Sequence, residues 1–542
     1  MSNPEWWRVA VVYQIYPRSF QDTDDDGIGD LSGITARLDY LEWLGIDALW
    51  LCPFYPSPQE DFGYDVSDYT GVDPIFGTLD DFDRLVDEAH QRDLRLILDF
   101  VPNHTSHKHP WFLESRSSRA SPRRDWYLWA DPKPDGSPPN NWRGAVDITR
   151  EGSAWAFDEA TGQYFMATFS PSQPDLNWRS PDVRAALLDA MRFWLERGAD
   201  GFRVDMVDFI GKDAQLRDEE PLRPGESVWR SYIARWQYQA NRPEVLAYIR
   251  AMRRVVEEFG RGRVLVGEVS YHLPPERIAA YGGVGLLDLP SNFRLTFLCP
   301  EVKAIADFVD EYDAACEKEG AWPNWCLSNH DTPRPMRFGD ELARTATMLL
   351  LTLRGTPFLY YGNEIGMANV EIPPDLQKDS WTVPEVGVTR DGIRTPMQWE
   401  ASANAGFTGS DVQPWLPVSG DHVQRNVKLE RDDVRSLLSM TRSLLALRKE
   451  RESLRVGRYE QVPLEDDKCF AYRRSSKEES TLVVLNFQDE QQVADVRGSG
   501  VILVSTACDR EGEVHGAVEL RPYEGLVIDI SDSTLIRRSS IP

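Results

Sequence analysis

Gly201-Phe202-Arg203-Val204-Asp205, Val266-Gly267-Glu268-Val269 and Ser328-Asn329-His330-Asp331 each close a short apolar run with one carboxylate. Runs such as Gly201 to Val207 and Val264 to Val269 read as strands buried on both faces. An ionised side chain there is costly unless it is paired or stands at the strand's end, so the three acids are expected to face one shared mouth. Working outward, strand-like segments recur at Val11 to Tyr16, Ile46 to Leu51, Leu94 to Phe100, Gly201 to Val207, Val264 to Val269, roughly Gly285 to Phe293, Asn324 to Ser328 and Pro357 to Tyr361. Helical segments such as Leu79 to Arg92 and Val183 to Glu196 lie between them, with apolar residues at three- and four-residue spacing. Strands and helices alternating in this way predict a (β/α)8 TIM barrel of class α/β, with its chemistry at the C-terminal ends of the strands. The sixth segment is interrupted by Asp288 and Pro290, and proline lacks the N–H that a central strand donates.

The rhythm fails between Asn103 and Gln173, where Pro, Ser, Trp and Gly dominate, as in Pro132 to Trp142. Residues 104–173 are therefore expected to form an inserted lobe over the barrel mouth after the third strand, the barrel itself taking 1–103 and 174–455. A second irregular stretch, about 368–427, follows the eighth strand. After a last helix near Val434 to Arg448, alternation as in Ser480-Thr481-Leu482-Val483-Val484-Leu485-Asn486-Phe487 predicts a C-terminal antiparallel β domain over 456–542, a β-sandwich.

With 542 residues, 41% of them hydrophobic, the chain is long enough for a sizeable core. A net charge of −27 repels phosphate backbones and anionic headgroups, which argues against nucleic acid and membrane partners. The start, Met-Ser-Asn-Pro-Glu-Trp-Trp-Arg, lacks the pattern of a signal peptide, and no apolar run is long enough to cross a bilayer. Cys52, Cys299, Cys316, Cys326, Cys469 and Cys508 lack close pairing or metal-ligand spacing. A reduced cytoplasmic setting is expected, with the thiols packed as small hydrophobes.

Two carboxylates about 5 Å apart in such a mouth can break a glycosidic bond with retention, one attacking as nucleophile while the other donates and later withdraws a proton. The acid-bearing segments resemble glycoside hydrolase family 13, the α-amylases and α-glucosidases. Asp99-Phe100-Val101-Pro102-Asn103-His104 is similar to that family's first signature. Gln173-Pro174-Asp175-Leu176-Asn177 is similar to the loop that marks its oligo-1,6-glucosidase and α-glucosidase branch. Gly63-Tyr64-Asp65-Val66-Ser67-Asp68-Tyr69, Gly355 to Glu364 and Arg394-Thr395-Pro396-Met397-Gln398-Trp399 follow in family order, so the resemblance spans most of the chain.

On this reading Asp205 is the nucleophile, kept ionised by Arg203 two residues earlier on the same strand face. Taken alone, the pair reads equally well as a structural ion pair. Glu268, between apolar neighbours, is the general acid and then base; a solvated acid at a strand end is the plainer alternative. The resemblance implies that Asp331 grips sugar hydroxyls and helps distort the ring. It also places His104 and His330 in the subsite of the terminal glucose with Tyr64 stacked beneath, and pairs Asp61 with Arg394 on the far hydroxyls, which would close the pocket. Asp99 is expected to support Arg203.

Asp22-Thr23-Asp24-Asp25-Asp26-Gly27-Ile28-Gly29-Asp30 sets acids at alternate positions with glycines that permit a tight turn, much like a calcium-binding loop; an acidic surface turn is the alternative. The family carries a Ca²⁺ or Mg²⁺ site here, so Asp22, Asp24, Asp26, Asp30 and the Ile28 carbonyl are the expected ligands of a structural ion, and no organic cofactor is implied.

The resemblance implies a retaining, exo-acting α-glucosidase that removes terminal α-linked glucose from short oligosaccharides or α-glucosides, with transglucosylation as a side reaction. A trehalose- or sucrose-type mutase is the alternative within enzymes, and a non-catalytic binding subunit the alternative outside them. Met206 follows the nucleophile where valine or smaller residues are common, Asp208 stands where asparagine is frequent, and Ala167 replaces a frequent histidine. These departures point to an unusual site for the leaving group.

Overall fold

The computed structural model describes residues 5–144, 152–221, 223–224, 235–260, 262–270, 272–291, 293–379, 382–383, 388–464 and 468–530. Residues 1–4, read for a leader, and 531–542, assigned to the C-terminal domain, lie outside them, as do parts of the irregular stretch 368–427.

Eight strands form the expected barrel sheet: β1 (Val12–Ile15), β2 (Ala48–Leu51), β3 (Arg95–Phe100), β7 (Gly201–Val204), β8 (Val264–Glu268), β9 (Leu289–Ser291), β10 (Asn324–Cys326) and β11 (Thr356–Tyr360). Their order in the sheet is β10-β11-β1-β2-β3-β7-β8-β9. Strands β4 (Trp129–Ala130), β5 (Trp155–Asp158) and β6 (Gln163–Met166) belong to the insertion between β3 and β7. Strands β1, β2, β7 and β11 are buried along their whole length, which is why they read as unbroken apolar runs rather than as alternation.

By its contacts the chain divides into two compact units, one of Trp50–Asn292 with Glu319–Ala321, the other of Glu5–Leu49, Phe293–Lys318 and Trp322–Pro542. In the first, β3 pairs in parallel with β7, β7 with β8 and β8 with β9. The helix Leu79–Gln91 starts on a capping box between Thr78 and Asp81, and buries Phe82, Leu85, Val86 and Ala89. The helix Pro181–Glu196 buries Val183, Leu187, Met191 and Trp194, whose indole N–H donates to the Tyr69 carbonyl at 2.7 Å.

The insertion builds a small antiparallel sheet in the order β4-β6-β5 with a core of Trp142, Ala154, Trp155 and Met166. Leu216 and Tyr238, from the segment after β7, pack on that core. The Glu219 carboxylate accepts backbone N–H bonds from Gln237, Tyr238 and Gln239, and Asn141 donates to the Glu219 carbonyl at 2.9 Å. The lobe therefore draws on residues beyond the 104–173 of the sequence reading.

In the second unit β1 pairs with β11 and β11 with β10. A short hairpin follows, β12 (Thr382–Val383) and β13 (Val388–Thr389). The chain then forms the helix Leu437–Glu450 and the strands β14 (Arg458–Gln461), β15 (Cys469–Ser475), β16 (Ser480–Asn486), β17 (Gln492–Ser505), β18 (Gly512–Leu520) and β19 (Gly525–Asp529). The described strands make one antiparallel sheet in the order β14-β15-β16-β19-β17-β18, where the sequence suggested the two layers of a sandwich. Register shifts in β17 near Ser499 and Val504 let one long strand pair with both β18 and β19, so a single sheet takes up the alternating segments. Five of the six cysteines are buried free thiols and Cys508 is partly exposed. Among the described residues no helix is long and apolar enough to cross a membrane.

Candidate active site

Register sets the acids of the first unit. Asp99 lies opposite Arg203 and Arg203 opposite Val266, so Asp99, Arg203 and, two residues beyond Val266, Glu268 share one face. Asp205 follows β7 directly, and its N–H donates to the Phe100 carbonyl at 2.8 Å. Arg203, 2% exposed, holds the group together. Its Nη1 donates to Asp99 Oδ1 and to Asp205 Oδ1, each at 2.8 Å, and its Nη2 donates to Glu268 Oε2. Asp99 Oδ2 in turn accepts from Tyr64 Oη at 2.9 Å and from the Trp50 indole at 3.1 Å, and that indole ring lies 4.9 Å from the guanidinium.

Two buried carboxyls, Asp99 and Asp205, and the partly buried Glu268 around one guanidinium cannot all ionise cheaply. Burial, reinforced by Glu268 and Asp99, pushes the Asp205 carboxyl above its ordinary range despite Arg203, and burial pushes Asp99 up as well. The sequence reading had Arg203 lowering Asp205; the two neighbouring acids and the dry setting outweigh that pull. Met206 has φ +37° and ψ 51°, a left-handed conformation that costs a non-glycine residue about 1 kcal/mol, and its N–H points to Glu268 Oε2 at 3.4 Å. Asp208, fully buried, accepts from Ser270 Oγ at 2.6 Å, and burial raises its carboxyl to about 6.

Beside this cluster the same unit gathers Asp61, His104 and Gln173. Gln173 Nε2 donates to Asp61 Oδ2 at 2.8 Å and lies 3.2 Å from His104 Nε2. Buried Lys212 bonds Asp175 at 3.0 Å and Asn103 Oδ1 at 3.1 Å. That second bond fixes the Asn103 amide, whose Nδ2 then faces His104 Nδ1 at 3.2 Å as a donor and leaves the ring hydrogen on Nε2. Burial lowers the His104 imidazole to about 4, so it is neutral at pH 7.

The second unit holds the remaining predicted residues. His330 Nδ1 meets Gln14 Nε2 at 2.8 Å, and its ring lies parallel to Tyr16 at 6.1 Å. Asp331, 36% exposed at its side chain, takes His330 Nε2 on Oδ2 at 3.1 Å. Its Oδ1 accepts from Arg394 Nη2 at 2.8 Å and from Arg390 Nη1 at 2.9 Å. Burial would raise Asp331, but His330, Arg390 and Arg394 outweigh it and hold the carboxyl well below the usual range. Arg394 also donates to the His330 carbonyl at 2.8 Å, and Arg390 is clamped by Asp379.

Sequence reasoning missed Arg390, Lys212 and the role of Gln173. Gln173 lay in a quoted motif, and Arg390 stands four residues before Arg394 in a 3-10 turn, the only signal available for it. In the Asp22 loop, Asp22, Asp24 and Asp30 bring ligand atoms within 4.8 Å of one another. Asp22 also accepts N–H bonds from Asp24, Asp25 and Gly27, while Asp26 is turned onto the Ile28 N–H at 2.7 Å.

Residues 14–457 match the family profile of the alpha-amylase catalytic domain. The chain belongs to the alpha-amylase family. This family member is 42% identical to a probable alpha-glucosidase of Rhizobium meliloti over 506 residues, 90% of each chain. It is 37% identical to an oligo-1,6-glucosidase of Parageobacillus thermoglucosidasius over 571 residues, 97% of this chain and 99% of the relative. Among solved structures it is similar to the alpha-glucosyl transfer enzyme XgtA, with TM-score 0.90 and 37% identity over 97% of this chain and 99% of that one.

Proposed function

We propose that this alpha-amylase family member is a retaining, exo-acting α-glucosidase acting on short α-linked oligosaccharides or α-glucosides. The observation that carries the proposal is the Arg203 guanidinium, which bonds Asp205 through one terminal nitrogen and Glu268 through the other. Retaining enzymes need their two carboxyls close, about 5 Å apart with no place for an attacking water between them, and two carboxyls bonded to one planar guanidinium suit that requirement.

In the first step an Asp205 oxygen attacks the anomeric carbon while Glu268 gives its proton to the glycosidic oxygen, so the aglycone leaves as an alcohol and a β-glucosyl ester forms. Glu268, now a carboxylate, takes a proton from water, whose oxygen displaces Asp205 and releases α-glucose. For this step Asp205 is the attacking carboxylate and Glu268 the acid that carries the proton. Asp331, held ionised by its arginines, grips hydroxyls and favours the positive charge that develops on the ring. Tyr64, His104 and Asp61, in the same unit as Asp205 and Glu268, line the glucose subsite. An alcohol in place of water gives glucosyl transfer, which the likeness to a glucosyl transfer enzyme favours as a second outcome of the same ester.

Asp22, Asp24 and Asp30, with Asp26 and the Ile28 carbonyl, would hold Ca²⁺ or Mg²⁺; hard oxygen donors crowded in one loop suit such an ion, whose charge would offset their repulsion. Six free thiols suit a reduced cytoplasm.

The test is NMR of the glucose first released from 4-nitrophenyl α-glucoside, with product analysis on maltose, isomaltose and sucrose beside it. α-Glucose as first product is expected. β-Glucose, or an isomeric disaccharide with little free glucose, would overturn the reading.

A further inference from the structure

The turn that follows the nucleophile meets the segment of the general acid at two points. Met206, next after Asp205, sets its N–H 3.4 Å from Glu268 Oε2, the oxygen that also accepts from Arg203. Both donors meet Oε2, so the proton that Glu268 gives is carried on Oε1. Two residues beyond each of these, Asp208 meets Ser270. Ser270 Oγ donates to Asp208 Oδ2 at 2.6 Å, and its N–H donates to Oδ1 at 3.3 Å. One carboxylate thus takes both donors of one serine, which an asparagine amide with a single acceptor oxygen cannot do. The shorter bond has the length of a charge-assisted one.

A buried carboxyl is costly to keep. Asp208 is 0% exposed, and among the described residues it forms no ion pair. It is out of reach of a leaving group, so its influence on the reaction passes through what it holds. The Asp208 carbonyl accepts the Asn241 N–H at 2.8 Å, and the Phe209 N–H closes on the Met206 carbonyl at 2.9 Å, so the turn is tied on several sides. Such support is what keeps a left-handed Met206 in place. We propose that Asp208 is a positioning residue that, through Ser270, holds Glu268 in line with the glycosidic oxygen. Glu268 ends β8 and Ser270 lies two residues on, so fixing Ser270 fixes the backbone from which the acid projects. The inference rests on the α-glucosidase reading, and adds to it a residue that governs proton donation without touching substrate.

The test uses full-length enzyme and two aryl α-glucosides of similar size, 4-nitrophenyl and 4-methoxyphenyl. Nitrophenolate departs without a proton, whereas methoxyphenolate is a stronger base and needs the acid, which contributes roughly 10²–10⁴-fold where it is needed. In Asp208→Asn, kcat/KM for the methoxyphenyl glucoside is expected to fall about tenfold further than for the nitrophenyl glucoside. Ser270→Ala should show the same selective loss, and the double variant should lose less than the product of the two, because both substitutions weaken one link. Each comparison is a ratio within one variant, so a lower folded fraction cancels. Equal losses on the two glucosides, or selective losses that multiply in the double variant, would overturn the inference and leave the α-glucosidase reading standing. A wild type that cleaves the nitrophenyl glucoside alone has no working acid to position, and would overturn the inference too. A wild type that cleaves neither would overturn both.

Discussion

Arg390 Nη1 donates to Asp331 Oδ1 at 2.9 Å, so a residue from the irregular stretch after β11 shares that oxygen with Arg394. Arg390→Gln removes one charge-assisted bond, and kcat/KM is expected to fall roughly ten- to a hundredfold. Asp331 has its folded-state pKa depressed, so it contributes stability that is present above the ordinary carboxylate range and lost as pH falls through the folded value. The variant should therefore melt lower than wild type at pH 6, with the gap narrowing as pH drops below about 4. A gap that widens in acid, followed by calorimetry, would show that Arg390 acts otherwise.

Arg203 is the shared cation of Asp99, Asp205 and Glu268. Arg203→Met strands buried carboxylates and should destabilise by about 3–5 kcal/mol at pH 7, together with loss of nearly all turnover. Acid protonates the stranded groups, so the penalty should shrink from pH 7 to pH 4. Denaturant unfolding at both pH values measures this, and an equal penalty at the two would contradict a shared charge.

Asp208 supplies a test with the opposite sign. Burial raises its folded-state pKa to about 6, so its contribution is fully present below the unfolded value near 3.8 and is lost as pH rises through 6. Asp208→Asn keeps an acceptor for Ser270 and does not titrate. Relative to wild type, its melting temperature should rise between pH 4 and pH 7, by the equivalent of about 3 kcal/mol at most. A flat difference across that window would mean that Asp208 stays ionised throughout.

For the Asp22 loop, chelation by EDTA is expected to lower the melting temperature of metal-loaded protein, and Asp24→Asn should remove that response. Asp30→Ala does two things, because Asp30 Oδ1 also caps the helix Leu31–Ala36 through the Gly33 N–H at 2.6 Å. It should cost about 1 kcal/mol even in chelator. No change with EDTA in the wild type would count against a bound ion.

The barrel strands were legible because burial on both faces leaves a continuous apolar signature, as at Val264 to Glu268. The sixth was blurred for a physical reason. Asp288, which breaks the apolar run, turns its carboxylate onto the Leu265 N–H at 2.7 Å and onto Arg253, leaving only Leu289–Ser291 in the ladder. Pro290 is tolerated because β9 stands last in the sheet order. Asp205, Glu268 and Arg203 were found from position along a strand. Arg390 and Lys212 were not, because each acts on a residue far away in sequence and neither stands at a strand end. The share of Leu216, Glu219 and Gln237 to Gln239 in the inserted lobe was hidden for the same reason: the Glu219 carboxylate satisfies backbone N–H groups, and a backbone amide carries no letter in a sequence.

The side-by-side register of Asp99, Arg203 and Val266 has a consequence for how such a protein can change. Adding or deleting one residue within β3, β7 or β8 would turn every following side chain to the opposite face and disperse the charged group at a stroke. Loops such as Pro132 to Pro139 face no such arithmetic. Length variation among descendants of this chain should accordingly gather in the connections, and libraries meant to alter what the enzyme accepts can lengthen or shorten those segments freely provided the three strands keep their count.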